Sequence, residues 1–283
     1  MILVSCNRND TDEKLLAEEQ QLDQYIAANE QDAVRANGIY FKKISETEGV
    51  KPDVRDYVLI DYTCKHLYEG TVEQVSYKDY EAYGALYPSP YLEGGPEAMD
   101  LTRSLFGSYI AGMREGENAR LYVPSRHTNR DFITRLYEIT LVKVMGADLT
   151  SYQEKLMDAY LKEYYAQATV DTIPVTLDDG KVYHVLCATL QKSREDNRQF
   201  DFNIVESNYI LNDISDHRPF QEANIQSWPW PSAVKNSDKL KNAETAIMLI
   251  PYRLRYGEQI CTIPNGQVVV PYEAVLVYLV EKK

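Results

Sequence analysis

Nucleophile, metal and cofactor chemistry has little support among the residues of this chain. Its cysteines are Cys6, Cys64, Cys187 and Cys261. They include no C-x-x-C pair, so no zinc or redox motif is present. One disulfide among Cys64, Cys187 and Cys261 is possible, and the sequence does not decide whether it forms. The four histidines show no ligand spacing, and the sequence lacks the G-x-S-x-G, P-loop, HExxH and dinucleotide-binding motifs. We therefore expect no metal and no cofactor.

Aromatic side chains are the most conspicuous chemical group, with 23 tyrosines against 6 phenylalanines. Tyrosine-rich chains often have half-buried strand faces or a binding surface, because the ring is apolar and the hydroxyl is polar. Compositional drift without a functional role is the alternative. Tyr256, Trp228 and Trp230 fall in segments expected to be loops, where binding residues are concentrated. For strand residues such as Tyr137 and Tyr278, packing in the core is the alternative role.

Charge and length restrict the class of protein. The formal net charge of −13 argues against nucleic acid and against an anionic membrane surface as electrostatic partners. A length of 283 residues suits two domains, and a hydrophobic content of 44% is typical of a folded globular chain. No segment reaches the roughly 18 consecutive apolar residues that a membrane helix needs.

The first residues carry a possible processing signal. Leu3-Val4-Ser5-Cys6 resembles the lipobox of bacterial lipoproteins, in which the cysteine is acylated and becomes the mature N-terminus. Polar residues 7–12 follow, as a tether would. Only five residues precede Cys6 and none is basic, so this is either a clipped signal or an ordinary cysteine. The resemblance implies a chain in the cell envelope, anchored through lipid at Cys6 on the periplasmic or surface side of a membrane.

Each half of the sequence begins with a predicted helix, at residues 10–29 and 150–167. Asp10 is the expected N-cap of the first helix and Ser151 that of the second. The predicted apolar stripes are Leu15, Leu22, Tyr25 and Ile26, and then Leu149, Tyr152, Leu156, Tyr160 and Tyr164. Because no Gly/Ser-rich linker separates the halves, the second helix is expected to act as a semi-rigid connection.

The same order of turns and strands follows each helix. Asn-Gly at 37–38 and Asp-Gly at 179–180 predict turns. The corresponding predicted strands are residues 56–62 and 201–206, 119–124 and 246–251, and 135–141 and 276–281. This shared order predicts an α+β chain of two similar domains. The predicted divisions are residues 1–30 (N-terminus and leading helix), 31–147 (first domain), 148–170 (connecting helix) and 171–283 (second domain).

Two segments resemble a signature of the FKBP family of peptidyl-prolyl cis-trans isomerases. In residues 113–124 a Met-x-x-Gly turn leads into a strand that ends in Val-Pro, where the family has Ile-Pro. Residues 249–257 resemble the same place and keep the family's Ile-Pro-x-x-x-x-Tyr-Gly. The resemblance covers about residues 37–145 and 181–283. It implies two FKBP-like domains, each a bent antiparallel β-sheet around a short helix and each preceded by a helix.

The resemblance also implies an aromatic pocket between the short helix and the sheet, which acts without nucleophile, metal or cofactor. The second domain matches better, because it keeps the flap tyrosine, a floor tryptophan and the last-strand aromatic. The implied catalytic residues are Tyr256, Trp230 and Tyr278. The implied pocket residues are Tyr62, Phe106, Tyr137, Ile250 and Trp228, the last as an alternative floor residue.

Both domains depart from the family pattern. In the first, Glu73-Gln74 replaces the Phe-Asp that follows the glycine turn, Arg103 replaces an isoleucine, and Asn129 stands near the place of the flap tyrosine. In the second, Ser207 stands where a strand tyrosine is expected. Each domain thus keeps about half of the pocket.

Three functions follow from these residues. The first is an extracytoplasmic peptidyl-prolyl isomerase that assists the folding of secreted proteins. The second is a non-catalytic peptide-binding or chaperone module on the same scaffold. For both, the partner is a proline-containing polypeptide. The third is a different β-rich surface lipoprotein that binds another ligand or a glycan.

Overall fold

The structure is a computed structural model. It describes residues 6–53, 55–75, 98–100, 106–192, 202–211, 214–215, 218–219, 230–240, 242–257, 261–262, 268–270 and 274–282. Within these ranges, the side chains of residues 6–9, 74–75, 98–100, 218–219, 261–262 and 268–270 are outside the description. The chain divides into two compact units, Met1–Val144 and Met145–Lys283. Each contains helices and an antiparallel sheet, which confirms the predicted α+β class. Among the described residues, no helix combines the length and apolarity needed to cross a membrane.

The first unit contains helix α1 (Cys6–Asn29), the short helix α2 (Gly107–Ile110) and a 3-10 helix at Ser125–His127. Its strands are β1 (Val34–Ala36), β2 (Ile39–Lys43), β3 (Tyr57–His66), β4 (Val72–Val75), β5 (Ala98–Asp100), β6 (Asn118–Val123) and β7 (Arg135–Gly146). They lie in the order β1-β2-β6-β7-β3-β4, and β5 also pairs with β3.

The predicted Asn-Gly turn joins β1 to β2. Asn37 and Gly38 have φ angles of 48° and 82°, the positive values that a two-residue type I′ turn requires at both central positions. A Cβ added at Gly38 would lie 2.7 Å from the His127 Nε2 atom. Glycine is therefore required at this position by its φ angle and by the close approach of the histidine.

Both faces of the first sheet are covered. On the outer face, Tyr122 and Leu136 cluster with Leu22 and Ile26 of α1. On the inner face, Tyr137 and its neighbours cluster with α2. Side chains alternate between the two faces of a strand, so successive residues of β6 and β7 contact different helices.

The second unit contains helices α3 (Leu149–Tyr164), α4 (Ser232–Lys235) and α5 (Tyr252–Tyr256), and a 3-10 helix at Asp238–Leu240. The strands of its main sheet are β8 (Thr169–Thr176), β9 (Val182–Lys192), β10 (Phe202–Ile210), β11 (Arg218–Pro219), β12 (Ala243–Pro251) and β15 (Val275–Lys282). The remaining pair, β13 (Cys261–Thr262) and β14 (Val268–Val270), forms a small antiparallel sheet.

The two main sheets have the same connectivity. The order β8-β9-β12-β15-β10-β11 reproduces, strand for strand, the order of the first sheet. On the outer face of the second sheet, Leu249 and Val277 cluster with Met157 and Leu161 of α3. Helix α3 is thus a layer of the second unit, as α1 is a layer of the first. The inner face of the second sheet carries the residues that alternate with this outer set.

The N-termini of both long helices differ from the predictions. Helix α1 begins at Cys6, so the predicted tether at 7–12 is helical, and Asp10 pairs with Lys14 at 3.0 Å instead of capping. Helix α3 is capped by Asp148, whose Oδ1 accepts from the backbone N–H groups of Thr150 (3.1 Å) and Ser151 (3.3 Å). Asp148 precedes the first helical residue, which is the position from which a side chain reaches these groups.

The buried stripe of α3 overlaps the predicted one only in part. Leu149 and Tyr160 are buried as predicted, but Met157 and Leu161 also face the sheet, whereas Tyr152 is half-buried and Tyr164 is exposed. The hydroxyls of both tyrosines donate to carbonyl groups in the segment after β10, at 3.4 and 3.3 Å. A tyrosine whose hydroxyl needs a partner fits the edge of the interface better than its centre.

Candidate functional site

The predicted pocket aromatics of the first unit come together on the inner face. Phe106 lies against Tyr137 with their ring centroids 4.9 Å apart. Tyr62, from the neighbouring strand β3, belongs to the same buried cluster. The exposed fractions of the three residues are 2% or less, so the three rings are almost fully covered.

A buried cysteine accompanies these rings. The Cys64 thiol neighbours the Tyr137 hydroxyl, and burial raises the pKa of Cys64 to about 12. Burial also raises the pKa of Cys187, in the second unit, to about 12. Both thiols are free and stay protonated at neutral pH, so neither is suited to act as a nucleophile.

A buried arginine occupies the inner face two residues before Tyr137. Arg135 is 2% exposed, and its Nε and Nη2 atoms donate to the two carboxylate oxygens of Glu73 at 2.6 and 3.0 Å. Its Nη1 and Nη2 atoms donate to the carboxylate oxygens of Asp131 at 3.1 and 2.7 Å. The hydrogen bonds from Arg135 hold the pKa of Asp131 below its usual range. We call Glu73, Asp131 and Arg135 the ion triad.

Helix α1 holds residues 125–134, the segment that contains Asp131 and ends next to Arg135. Glu18, 6% exposed, accepts hydrogen bonds from the Ser125 backbone N–H (2.8 Å), the Ser125 hydroxyl and the Thr134 hydroxyl (2.8 Å). Glu19 pairs with Arg126 on the same segment. Residues 125–134 occupy the place where the resemblance puts the flap. In this unit hydrogen bonds to Glu18 hold both ends of that segment.

In the second unit a tryptophan and a tyrosine form the corresponding aromatic pair. The rings of Trp230 and Tyr278 meet edge to face, with centroids 5.9 Å apart and an interplanar angle of 74°. Tyr278 is fully buried, whereas Trp230 keeps 9% of its surface exposed. The predicted floor and last-strand aromatics are thus in contact, and both are buried.

Apolar residues surround this pair where the first unit has a charge. In the register of β12 and β15, Met248 lies opposite Tyr278 and Ile250 opposite Leu276. Leu121 lies opposite Tyr137, and Val123 opposite Arg135, at the equivalent places in β6 and β7. Leu276, fully buried, therefore stands where the first unit has Arg135. The inner face of the second unit has no counterpart of the ion triad at this position.

Tyr256 lies on α5, directly after the strand that carries Ile250. It is half-buried, and its ring packs on that of Tyr252 with centroids 4.9 Å apart. Tyr252 is fully buried, and its backbone N–H donates to the Ala274 carbonyl oxygen at 3.2 Å. Helix α5 is thus anchored at its first residue, and Tyr256 is placed at the end of β12.

Other predicted site residues have different outcomes. Ser207 lies opposite Tyr278 in the register of β10 and β15, so a hydroxyl replaces the expected tyrosine next to the aromatic pair. Trp228 and Arg103 lie outside the described residues. Cys6 is the first residue of α1, and its side chain is not described. Within the described part of the chain, no group of three or more His, Cys, Asp or Glu side chains could hold a metal ion.

A cavity lies on the outer face of the first sheet. Its volume is about 260 Å³, and its polar lining includes Asp61, Asn118, Arg120 and Glu138. Glu138 already pairs with Lys65 at 2.8 Å and with Arg120 at 3.2 Å. Since these charges neutralise each other, the cavity is a weaker candidate than the aromatic pair.

Sequence reasoning missed Glu18 and the role of Arg135. The repeat contains a signal for Arg135, because the corresponding position in the second half of the sequence is the apolar Leu276. Glu18 carries no such signal, since it lies among other acidic residues of an ordinary helix.

Comparison with known proteins gives structural similarity alone. No family model matches the chain, and no curated protein matches it. A peptidyl-prolyl cis-trans isomerase from Pseudomonas syringae pv. tomato is 21% identical over 47% of this chain and 95% of its own, with a TM-score of 0.35. FkpA from Escherichia coli is 13% identical over 50% of this chain and 65% of its own, with a TM-score of 0.37. The three FKBP domains of wheat FKBP73 are 17% identical over 86% of this chain and 92% of theirs, with a TM-score of 0.28.

By name, the first of these structures is a peptidyl-prolyl cis-trans isomerase and the third consists of FKBP domains. Because every TM-score is below 0.5, the function proposed below rests on the residues of this chain.

Proposed function

We propose that the chain consists of two FKBP-like domains in tandem, and that the second binds proline-containing polypeptides and catalyses cis-trans isomerisation of their X-Pro bonds. In this proposal Trp230 and Tyr278 form the floor and wall of the pocket, Ile250 contributes apolar surface, and Tyr256 stands at the rim; the contact between the Trp230 and Tyr278 rings supports it. The proposed domains correspond to residues 31–147 and 171–283, each with its own leading helix.

Isomerisation of an X-Pro bond requires an apolar protein surface rather than a reactive side chain. Rotation about a peptide bond crosses a barrier of about 18–20 kcal/mol, because resonance keeps the planar amide polar. Uncatalysed X-Pro isomerisation takes roughly tens to hundreds of seconds. A dry aromatic pocket stabilises the twisted amide, which is less polar than the planar one, and thereby lowers the barrier.

The observation that carries the proposal is the contact between Trp230 and Tyr278. It joins two residues far apart in sequence on the inner face of one sheet, where the neighbouring residues are apolar. In the first unit the equivalent pair is covered and the ion triad lies beside it. The proposal therefore assigns catalysis to the second unit.

The test is a refolding assay on a substrate protein whose folding is limited by a trans-to-cis prolyl step. The chain is expected to accelerate that phase, and Trp230→Leu is expected to lower kcat/KM by about tenfold or more, which corresponds to about 1.4 kcal/mol. Phe106→Leu is the matched control, because it removes the equivalent ring from the first unit. Far-UV circular dichroism and melting confirm that each variant is folded. Equal loss in both variants, or no acceleration by the wild type, contradicts the assignment.

Peptide binding without catalysis is the second candidate. Ser207 favours it, because a small hydroxyl replaces an aromatic wall next to Tyr278 and leaves that side of the pocket less apolar. Proline peptides would then quench or shift the fluorescence of Trp230 while the prolyl phase of refolding stays unchanged. Ser207→Tyr would add the missing ring and is the variant that separates the two functions.

We also propose that the chain works outside the cytoplasm, in the cell envelope, with a lipid on Cys6. The support is the lipobox-like Leu3-Val4-Ser5-Cys6. Mass spectrometry of the protein from the membrane fraction is expected to show an acylated N-terminal cysteine, and Cys6→Ser is expected to release the chain into the soluble fraction. An unmodified Cys6 in a membrane-free chain would contradict the anchor.

A further inference from the structure

The cavity on the outer face of the first sheet lies where the second unit has a covered apolar patch. Arg120 lies opposite Glu138 in the register of β6 and β7. The equivalent pair in β12 and β15 is Ile247 opposite Leu279. Ile247 and Leu279 pack in the cluster that contains Met157 of α3. In the first unit charged residues thus replace apolar ones, and they line a cavity of about 260 Å³.

A chain of ion pairs holds the charged side chains of this cavity in place. Glu30, directly after α1, accepts from Lys42 at 2.8 Å and from Arg120 at 3.1 Å. Glu138 accepts from Arg120 at 3.2 Å and from Lys65 at 2.8 Å. Glu30 is buried, whereas Arg120 and Glu138 are partly exposed. The network therefore fixes two side chains that solvent still reaches, and such preorganisation reduces the entropy lost on binding.

The lining of the cavity has more hydrogen-bond donors and acceptors than its internal bonds use. Arg120 has five N–H groups, and its two ion-pair bonds use the Nε group and one N–H of Nη1. The Asn118 amide donates one N–H to a neighbouring hydroxyl at 3.2 Å, and its oxygen accepts from Thr140 Oγ1 at 2.6 Å. Each carboxylate oxygen of Glu138 has a second lone pair. Donors and acceptors therefore stand side by side on β6 and β7.

This combination favours a neutral ligand that carries several hydroxyl groups. A hydroxyl both donates and accepts, so two neighbouring hydroxyls can use a guanidinium and a carboxylate together. An ionic ligand gains little, because cations and carboxylates around the cavity are equal in number. They are Lys42, Lys65 and Arg120, and Glu30, Asp61 and Glu138. The volume lies just below the roughly 300–1,000 Å³ of sites for drug-sized ligands, which suits one small ring.

We propose that this cavity binds a neutral, hydroxyl-rich ligand of the size of one sugar ring. Arg120 and Glu138 bind neighbouring hydroxyl groups of that ring, and Asn118 and Thr140 border it. The first unit then has a binding function of its own, which does not depend on the isomerase site proposed in the second. The recognised chemistry is the same for a free sugar and for the end of a glycan chain.

A heteronuclear NMR titration of the isotope-labelled full chain tests the proposal. The probes are glucose, galactose, mannose and N-acetylglucosamine. We expect at least one of them to shift the backbone amides of residues 118–120 and 138–140, with a Kd of about 1–10 mM. The Kd is expected to change less than about twofold between about 0.05 and about 0.5 M salt, because the ligand is neutral. The methyl glycoside of the bound sugar separates the two sources, since a site for a chain end binds it equally well and a site for free sugar does not.

Two variants connect the binding to the cavity. Arg120→Leu is expected to raise the Kd about fivefold or more, because it removes the guanidinium donors. Thr140→Val keeps the shape of the side chain, removes one hydroxyl, and is expected to raise the Kd about two- to fivefold. Arg35→Leu is the matched control, since Arg35 is a partly exposed arginine paired with Asp23 away from the cavity lining. Circular dichroism shows whether each variant is folded.

Several results would overturn the proposal. One is the absence of shifts at these amides with all four probes at about 50 mM, well above the expected Kd. Another is binding that Arg120→Leu and Thr140→Val leave unchanged. A third is binding of glucuronate or glucosamine more than about tenfold tighter than of glucose, because the site would then select charge. None of these results bears on prolyl isomerisation, so the function proposed for the second unit is tested separately.

Discussion

A buried guanidinium such as that of Arg135 cannot lose its proton, so its effect on stability depends on the carboxylates around it. Glu73 and Asp131 provide four donor–acceptor contacts to Arg135. Both carboxylates are partly exposed and can regain water when the arginine is removed. The ion triad therefore covers part of the inner face, while its two carboxylates remain in contact with solvent.

Arg135→Leu reproduces the residue found at the matching position of the second unit. We expect it to lower the free energy of unfolding by about 1–3 kcal/mol, less than the about 3–5 kcal/mol of a fully buried pair, because both carboxylates rehydrate. Urea denaturation of the chain measures the change. Arg120→Leu removes a partly exposed guanidinium whose partners Glu30 and Glu138 keep Lys42 and Lys65, so it is expected to cost less than about 1 kcal/mol. A loss for Arg120→Leu as large as that for Arg135→Leu would contradict this account.

Asp131 makes the stability of the first unit depend on pH. Hydrogen bonds from Arg135 hold its pKa below the usual range in the folded chain. A carboxyl whose pKa is depressed on folding contributes stability above its unfolded pKa of about 4, and this contribution is lost as pH falls through the folded pKa. Stability measured by urea denaturation is therefore expected to fall less steeply below about pH 4 in Asp131→Asn than in the wild type. Identical slopes would show that the ion triad does not contribute.

Residue-level contacts were predictable where the resemblance named both partners. Phe106 with Tyr137, and Trp230 with Tyr278, were expected in one pocket and are in contact. Arg135 was not, because its partner Glu73 lies 62 residues away and no sequence rule pairs them. The repeat marks Arg135 as unusual, but its partner is known only once the strands are paired.

At the scale of elements, the cap of α3 is the clearest local determinant. Asp148 accepts from two backbone N–H groups and from the Ser151 hydroxyl at 2.6 Å. We expect Asp148→Ala to destabilise the second unit by about 1 kcal/mol, the usual cost of losing an N-cap. Ser151→Ala, which removes only the accessory hydroxyl, is expected to cost clearly less in thermal or urea denaturation. The reverse order would restore Ser151 as the cap.

Local turn chemistry was predicted correctly, and helix ends were not. Asn37-Gly38 forms the expected turn because its two positive φ angles are a property of those residues alone. The start of α3 was shifted because both Asp148 and Ser151 are good N-cap residues, and only the packing of Met157 and Leu161 decides between them. Rotation of a helix about its axis depends on the sheet that it contacts.

At the scale of the whole molecule, the structure places α3 in the second unit. We expect residues 145–283 to fold alone and residues 171–283 to fail, because the latter lack the helix that covers Leu249 and Val277. Exposing one such side chain costs about 1.5–3 kcal/mol. Circular dichroism and size-exclusion chromatography of the two fragments test this. A stable, monomeric 171–283 fragment would show that α3 is only a connection.

The order of elements was the most informative feature of the sequence. Equivalent strands in the two halves were matched before their pairing was known, and both sheets place them in the same order. The ion triad and the hydrogen bonds of Glu18 were not predictable, since they join side chains of α1, β4 and β7 that meet only in the folded unit.

The helices that cover both sheets leave some strands without a solvent-facing side. All residues of Ala246–Pro251 in β12, and all of Val275–Tyr278 in β15, are buried. Such strands lose the alternation of apolar and polar residues that marks most antiparallel sheets. Over evolutionary time, drift in these segments is confined to exchanges among apolar residues of similar volume. Descendants of this chain should thus diverge in loops and outer helix surfaces long before these two strands admit a charge.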